Sequence, residues 1–372
     1  MVTISFKSLA VEGVRSLQPY QPGKPLAELE REYGIRHAVK LASNENPLGP
    51  GQKTLAAIEQ HLADLSRYPD GNGFSLKKAL SKKHGVSMDQ LTLGNGSNDI
   101  LEFLARAFVA SGDEVIFSEH AFAVYPIVTQ AVGGRAVVVA AKNLAYDLDA
   151  IAAAVSDKTR LIFIANPNNP TGTWLTEKAL RDFLEKIPAQ VLVVLDEAYY
   201  EYAMDPALRA CGYTSVTGWI GEYANLVVTR TFSKAYGLAG LRIGYSVSHA
   251  EVAEMLNRVR QPFNTNSLAL VAAEAALDDE AHLQQSLKVN AEGMQIFTQA
   301  FDQLGLDYIP SAGNFICVKV GDAGHVYEAL LRAGMIVRPV ANYGLPEYLR
   351  VTIGRADENA RFLDALKKIL SA

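Results

Sequence analysis

From about residue 90 onward, the chain carries short, almost continuously apolar runs, each followed directly by small or polar residues. Runs of this length are typical of strands buried on both faces of a parallel sheet. Stretches with helical spacing of apolar residues separate them, as in strand–helix–strand units. The predicted strands are Gln90–Leu93, Asp113–Phe117, Ala136–Ala140, Leu161–Ala165, Val191–Leu195 and Asn225–Thr229. The pattern predicts an α/β fold whose large domain has a mostly parallel sheet covered by helices on both faces.

Apolar spacing and cap residues predict helices over Lys53–Asp64, Ser75–His84 and Ile100–Val109, with Ser75 as an N-cap. A long helical stretch is predicted from about Ala272. It leads into mixed segments that include strands at Phe315–Val320 and Tyr348–Ile353. These segments indicate a second, smaller α+β domain.

The first 35 residues hold Pro19, Pro22 and Pro25 around Tyr20, which predicts an irregular arm. At 372 residues the chain is too long for one compact core. We therefore expect a small domain built from both chain ends beside the large one. The predicted division is an arm at 1–30, a small domain at 31–58 and 275–372, and a large domain at 59–274.

Composition narrows the class of protein. Apolar residues make up 49% and charged residues 20%, as in ordinary globular proteins, and the net charge of −5 favours neither nucleic acid nor an anionic membrane as partner. Cys211 and Cys317 are too few for a disulfide framework, and no histidine or cysteine spacing indicates a metal site. Without an apolar run of membrane-spanning length or a leader pattern, the expected location is the cytoplasm.

One lysine, Lys234, is predicted to lie at the carboxyl end of a strand, where open α/β sheets bind ligands. Thr231 and Ser233 precede it and Arg242 follows. A lysine amine can form a Schiff base with an aldehyde, while hydroxyls and a guanidinium bind phosphate, so the stretch suits pyridoxal phosphate. A solvated surface lysine is the alternative. The glycine-rich turn Gly94–Asn98 precedes a helix and could offer N–H groups to a phosphate, although such turns are often glycine-rich for steric reasons alone.

Other polar residues also follow predicted strands. Asp196 ends an apolar run and would suit a protonated pyridine nitrogen, but a helix N-cap or a metal ligand would also explain it. Asn169 and Tyr199 could donate to a phenolic oxygen of the cofactor, although the Asn-Pro segment around Asn169 also makes tight turns. Phe122 could stack on an aromatic ring or belong to the core.

Two arginines near the carboxyl end are candidate anion readers. Arg350 interrupts an apolar strand, and Arg338 precedes it by twelve residues. A guanidinium in such a strand needs an anionic partner, either a substrate carboxylate or phosphate or a structural carboxylate.

Together these motifs resemble the pyridoxal-phosphate-dependent aminotransferases of aspartate aminotransferase fold type I. Within that group, the segments Ala42–Pro50, Arg67–Asp70 and Thr231–Tyr245 are similar to those of histidinol-phosphate aminotransferases. The resemblance implies a homodimer in which Tyr68 reaches the partner's cofactor site. It implies that Lys234 carries the cofactor and moves the proton, that Asp196 pairs with the ring nitrogen, and that the other site residues divide between cofactor and substrate. The implied cofactor residues are Asn169, Tyr199, Phe122, Gly96, Ser97, Asn98, Thr231, Ser233 and Arg242, and the implied substrate residues are Tyr20, Asn44, Arg338 and Arg350.

The activity implied by the resemblance is transfer of an amino group between L-histidinol phosphate and 2-oxoglutarate, giving imidazole acetol phosphate and L-glutamate in histidine biosynthesis. An aromatic or broad-specificity amino-acid aminotransferase is the alternative. A decarboxylase of phosphothreonine type and a non-catalytic cofactor-binding regulator are more distant alternatives.

Overall fold

The computed structural model of the chain describes residues 5–20 and 23–371. Residues 1–4 and 21–22 of the predicted arm, Pro22 among them, and residue 372 of the predicted small domain lie outside the described residues.

The strands are numbered in chain order. They are β1 Val39–Lys40, β2 Leu91–Gly94, β3 Glu114–Ser118, β4 Arg135–Val139, β5 Thr159–Ala165, β6 Leu192–Asp196, β7 Leu226–Thr231, β8 Gly244–Val247, β9 Tyr308–Ile309, β10 Phe315–Lys319, β11 Met335–Ile336, β12 Arg338–Pro339 and β13 Tyr348–Thr352. The seven-stranded sheet has the order β2-β8-β7-β6-β5-β3-β4, and only β8 runs against its neighbours. The predicted strands of the large domain all lie in this sheet.

The helices are α1 Phe6–Leu9, α2 Glu12–Arg15, α3 Leu26–Tyr33, α4 Gln52–His61, α5 Phe74–His84, α6 Ser97–Phe108, α7 Val124–Ala131, α8 Leu148–Ala153, α9 Glu177–Leu184, α10 Tyr200–Ala203, α11 Pro206–Ala210, α12 Ala250–Val259, α13 Ser267–Leu277, α14 Glu280–Leu304, α15 Ala323–Arg332 and α16 Ala356–Leu370. Short 3-10 turns lie at Leu62–Asp64, Met88–Gln90, Thr217–Trp219, Ala239–Leu241 and Ala341–Tyr343. Among the described residues, no helix is long and apolar enough to cross a membrane.

Alternate residues of the central strands enter two separate cores, one on each face of the large sheet. Along β5, Ile162 and Ile164 pack with α5, α8, α9 and α13, whereas Leu161 and Phe163 pack with α6, α7 and α12. Burial on both faces explains why these strands are continuously apolar in sequence. It also leaves the strand ends as the places where polar side chains can gather.

The smaller sheet is antiparallel, in the order β12-β13-β10-β9, and β1 pairs in parallel with β11. Its core contains Val39 and Leu41 together with residues of α14, α15 and α16. Residues near both chain ends therefore build the smaller α+β domain, as expected. The domain boundaries stay a prediction, and the one at 58 falls inside α4.

Two local predictions are wrong. The arm is not irregular throughout, because Leu26–Tyr33 is a helix that begins directly after Pro25 and buries Leu29 completely. A proline just before a helix is compatible with it, since no helical N–H is lost there. Ser75 is not an N-cap: α5 begins one residue earlier, and Asp70 accepts from the Phe74 N–H at 2.7 Å instead.

Candidate active site

The carboxyl ends of β2, β3, β5, β6 and β7 converge on one cavity of about 180 Å³ between the large sheet and the small domain. Every predicted site residue except Gly96 and Tyr68 lines this cavity. The lining includes Tyr20, Asn44, Ser97, Asn98, Phe122, Asn169, Asp196, Tyr199, Thr231, Ser233, Lys234, Arg242, Arg338 and Arg350.

Lys234 follows β7 in a loop held against the large domain. Its Nζ donates to the Ser43 carbonyl oxygen at 3.1 Å and lies 5.5 Å from the centroid of the Tyr199 ring. Burial and, after it, the positive charge of Arg350 together lower the pKa of Lys234 to about 7. A lysine with this pKa has a large neutral fraction at physiological pH, which is the nucleophilic form. The alternative of a solvated surface lysine does not fit this environment.

Asp196 ends β6 and is 4% exposed. Its two carboxylate oxygens accept from Thr229 Oγ1 and the Tyr125 hydroxyl, both at 3.0 Å. Burial raises the pKa of Asp196, and these hydroxyl donors oppose the rise. The N-cap alternative does not hold, because α10 begins after Tyr199. The metal alternative has no support either, since the described residues contain no cluster of metal-ligating side chains.

Tyr199 and Asn169 both carry hydrogen bonds from residues of the small-domain side. The Tyr199 hydroxyl accepts from Asn44 Nδ2 at 2.9 Å, and burial raises the pKa of Tyr199 to about 12. Asn169 Oδ1 accepts from Arg350 Nη1. The Asn169 amide nitrogen is therefore left as a donor, as its predicted role requires.

A concave, cationic corner is formed where α6 begins. Gly96 has φ of 83° and precedes the helix, and a Cβ built on it would overlap Arg242 Nη2. Arg242 Nη1 donates to Ser233 Oγ at 3.3 Å, and Thr231 Oγ1 donates to the same oxygen at 3.0 Å. Helix N–H groups, hydroxyls and a guanidinium meeting at one place make an anion site. Gly96 allows the arginine to approach this closely.

Phe122 and Tyr125 lie in different environments. Phe122 is half-buried and lines the cavity, while Tyr125 is fully buried, stacks on Phe163 at 4.7 Å and donates its hydroxyl to Asp196. The geometry suits Phe122 for contact with a ligand ring. Tyr125 instead holds the carboxylate in place.

The two arginines predicted to bind substrate anions lie directly opposite each other on neighbouring antiparallel strands, Arg338 on β12 and Arg350 on β13. Both are at least nine-tenths buried. Arg350 donates to Asn169 and to the Ala42 carbonyl oxygen, and its buried Nε has no hydrogen-bond partner. No carboxylate within the described residues forms an ion pair with Arg350, so the structural salt bridge does not explain it. A buried guanidinium without a counter-charge suits an anionic ligand, so Arg350 is a candidate to bind one.

Comparison with known proteins identifies the family. The sequence profile of "Aminotransferase class I and II" matches residues 36–366. The chain belongs to the class I and II aminotransferases. It is 58% identical to histidinol-phosphate aminotransferase 1 of Idiomarina loihiensis over 99% of this chain and 100% of that one, and 58% identical to histidinol-phosphate aminotransferase 2 of Pseudomonas aeruginosa over 98% and 99%. The solved structure of histidinol-phosphate aminotransferase from Sinorhizobium meliloti in complex with pyridoxal-5'-phosphate superposes with a TM-score of 0.88, at 31% identity, covering 97% of each chain.

These findings confirm the predicted fold class, the family resemblance and the pyridoxal-phosphate-dependent aminotransferase activity. The cavity of this aminotransferase also fits the cofactor chemically. Asp196 is a buried carboxylate whose side-chain partners are hydroxyls, so it can still take a cation. Lys234 supplies a neutral amine for an aldehyde, and the corner at Gly96 supplies donors for a phosphate. The roles of the single residues stay predictions.

Tyr68 lies outside the cavity of its own chain. It is 83% exposed, and its ring stacks on that of Phe263 with centroids 4.7 Å apart. This position leaves the ring accessible to another molecule. Its predicted reach into a partner's site stays a prediction.

Two pairs of residues around Asp196 were missed in the sequence. Tyr125 and Thr229 hold the carboxylate. Behind it, Glu197 and Arg230 form an ion pair at 2.7 Å with exposures of 1% and 2%. Arg230 follows Thr229 in an otherwise apolar strand, so the two side chains point to opposite faces of the sheet. A charged residue in such a strand needs a buried counter-charge, and this is the signal that could have revealed Glu197.

Proposed function

We propose that the chain transfers an amino group between L-histidinol phosphate and 2-oxoglutarate, as a cytoplasmic homodimer in histidine biosynthesis. The names of relatives at 58% identity over nearly the whole chain support this substrate. The structural observation that carries it is the pair Arg338 and Arg350, opposed in register and facing the same cavity as Lys234. One site must bind a phosphate monoester and, in the other half-reaction, a dicarboxylate. A guanidinium binds either anion with two parallel hydrogen bonds.

Each residue of the cavity has a distinct proposed role toward the cofactor. Pyridoxal phosphate supplies, when bound, an aldehyde carbon that carries the amino group and a ring that takes up electrons from the substrate. Lys234 Nζ moves the proton between the substrate α-carbon and the cofactor carbon that receives nitrogen. Asp196 keeps a proton on the ring nitrogen. Tyr199 and Asn169 donate to the phenolic oxygen, and Thr231, Ser233 and Arg242 bind the phosphate, with Gly96, Ser97 and Asn98 contributing the start of α6.

A neutral amine at Lys234 suits the proton step. With a pKa of about 7, Nζ can accept a proton and return it within one pH unit of neutrality. Phe122 packs against the cofactor ring. The side chain of Tyr20 lies over Arg338, whose guanidinium carbon is 5.5 Å from the centroid of the Tyr20 ring. Tyr20 is half exposed, so it can contact a substrate entering from solvent.

The test is a comparison of amino donors on the purified protein loaded with pyridoxal phosphate. Glutamate formation from histidinol phosphate and 2-oxoglutarate should proceed with a kcat/KM at least tenfold above that with phenylalanine or tyrosine. A higher value with the aromatic amino acids would replace the proposal by the broad-specificity alternative. Release of carbon dioxide from phosphothreonine without any 2-oxoglutarate would indicate the decarboxylase.

Subunit complementation tests the proposed dimer. If Tyr68 serves the partner's site, Tyr68→Ala removes a residue from the partner's site, whereas Lys234→Ala removes one from the subunit's own site. Each mixed dimer would then contain one site with both residues intact, so a 1:1 mixture at complete random exchange should recover about a quarter of the wild-type rate. A monomer in sedimentation, or no recovery on mixing, would contradict the dimer proposal.

A further inference from the structure

Asn44 has an unusual backbone conformation for a non-glycine residue. Its φ is 54°, in the left-handed region, and the residue is 1% exposed. Holding asparagine there costs about 1 kcal/mol, so the surroundings must specify it. The segment lies between β1 and α4, where the chain passes from the small domain to the large one.

The hydrogen bonds of Asn44 assign the orientation of its amide. Its backbone N–H donates to Thr352 Oγ1 at 2.9 Å, so the hydroxyl hydrogen of Thr352 is free to point elsewhere. That hydroxyl donates to Asn44 Oδ1 at 3.2 Å. The opposite end of the amide, Nδ2, therefore faces Tyr199 and donates to its hydroxyl oxygen at 2.9 Å.

This arrangement also determines what the Tyr199 hydroxyl can do. A phenol has one hydrogen, and an oxygen that accepts from Asn44 must direct that hydrogen elsewhere. Burial raises the pKa of Tyr199 to about 12, so the hydrogen is present at any physiological pH. Tyr199 and Asn44 both line the cavity, so the hydrogen that the Asn44 amide nitrogen cannot accept is available to a ligand there.

We infer that Asn44 is a positioning residue which, through the Tyr199 hydroxyl, aims a hydrogen-bond donor at the phenolic oxygen of the bound cofactor. The inference rests on the proposed cofactor role of Tyr199 and replaces the expected direct role of Asn44 in substrate binding. Asn44 bonds Thr352, two residues beyond Arg350 on β13, so one side chain links the substrate-binding strand to the cofactor-binding tyrosine.

Two variants distinguish the effect of the Asn44 side-chain amide from the effect of its left-handed backbone conformation. Asn44→Gly and Asn44→Asp both tolerate a left-handed φ, because glycine has no Cβ and aspartate bonds locally. Glycine removes the donor and leaves the Tyr199 hydroxyl free to rotate. Aspartate replaces the donor by an acceptor, which draws the hydroxyl hydrogen away from the cavity.

The readout is the pH titration of the visible absorbance of protein-bound pyridoxal phosphate, which needs no turnover. A donor to the phenolic oxygen stabilises its anion, so losing the donor should raise the pKa of the chromophore. Asn44→Asp should raise it by about one pH unit or more, and Asn44→Gly by a smaller amount in the same direction. Because a new carboxylate also raises this pKa through its charge, the Tyr199→Phe background is the decisive comparison. There, the shift caused by Asn44→Gly should disappear, and the shift caused by Asn44→Asp should fall to the part that its charge produces directly.

Asn359→Asp is the matched control, since Asn359 is equally buried but bonds only Gly354 outside the cavity. Its chromophore should titrate as in the wild type. Equal titration of wild type and both Asn44 variants, or shifts that persist fully in Tyr199→Phe, would overturn the inference. A normal set of shifts with no activity on histidinol phosphate would instead refute the proposed substrate alone. Failure of the wild type to bind pyridoxal phosphate would refute both.

Discussion

The pKa of Lys234 leads to a quantitative prediction about cofactor capture. An exposed lysine has a pKa near 10.5, whereas burial, followed by the charge of Arg350, lowers that of Lys234 to about 7. At pH 7 roughly half of the Lys234 amine is neutral, compared with about 0.03% of an ordinary lysine. The buried amine should therefore react with an aldehyde about a thousandfold faster at this pH than an exposed lysine of equal intrinsic reactivity.

The assay mixes cofactor-free protein with pyridoxal, which lacks the phosphate and its ionisation near neutral pH. The rate of the absorbance change, measured from pH 5.5 to 9.5, should rise about tenfold per unit below pH 7 and then level off. Arg350→Gln removes a positive charge near the amine. The pKa of Lys234 should then rise, and the midpoint should move to higher pH by about one unit.

Arg258→Gln is the control, because Arg258 is exposed and pairs with Glu254 on the surface of α12. Its midpoint should equal that of the wild type. A rate that keeps climbing tenfold per unit beyond pH 9 would show an ordinary lysine and refute the argument from burial. A downward shift in Arg350→Gln would refute the role of its charge.

Three further variants test other contacts. Lys234→Met should stabilise the cofactor-free protein in urea by up to about 5 kcal/mol below pH 7, where the wild type must hold a buried ammonium. The difference should shrink between pH 7 and 10.5, because the unfolded wild-type lysine binds the proton that the folded one has lost. Gly96→Ala should weaken binding of pyridoxal phosphate at least tenfold in a fluorescence titration, because the added methyl group overlaps Arg242. Glu197→Gln should lower the free energy of unfolding by about 3 kcal/mol, since it removes the ion-pair partner of the buried Arg230.

Controls for these variants come from exposed or open positions. Gly218→Ala has nothing within 4 Å of the new methyl group and should bind the cofactor as the wild type does. Glu177→Gln breaks an exposed pair with Arg181 and should cost less than about 1 kcal/mol. Equal losses in Glu177→Gln and Glu197→Gln, unchanged affinity in Gly96→Ala, or no pH dependence of the Lys234→Met difference would contradict the respective explanation.

The sequence was sufficient for six of the seven strands of the large sheet, because their burial on both faces leaves an apolar run, and Asp196 and Lys234 stand out where such runs end. The antiparallel strand β8 was missed because it lies within the glycine-rich segment that follows Lys234. Ser75 was misassigned because the residue that caps α5 is Asp70, four positions before the first helical residue. The helix Leu26–Tyr33 was missed because the three prolines before it predicted irregular structure, although the segment itself has amphipathic helical spacing.

Other features depend on contacts that no local pattern reveals. Phe122 and Tyr125 are three residues apart, and only the packed fold shows which one lines the cavity and which one bonds Asp196. The amide of Asn44 is oriented by Thr352, 308 residues away in the chain. A local pattern cannot specify a bond across that distance.

That separation has a consequence for how the protein matures during synthesis. Lys234, Asp196 and the start of α6 all lie before residue 250, so the cofactor side of the cavity can fold while the chain is still being made. Ala42 and Asn44 are translated early but must wait for Arg350 and Thr352 before their hydrogen bonds can form. An interrupted chain that ends before β12 would retain the large-domain residues of the cavity and lack both Arg338 and Arg350. Under the proposed roles of the two arginines, we expect such a truncated product to bind cofactor without acting on the substrate, so a productive site requires synthesis of β12 and β13.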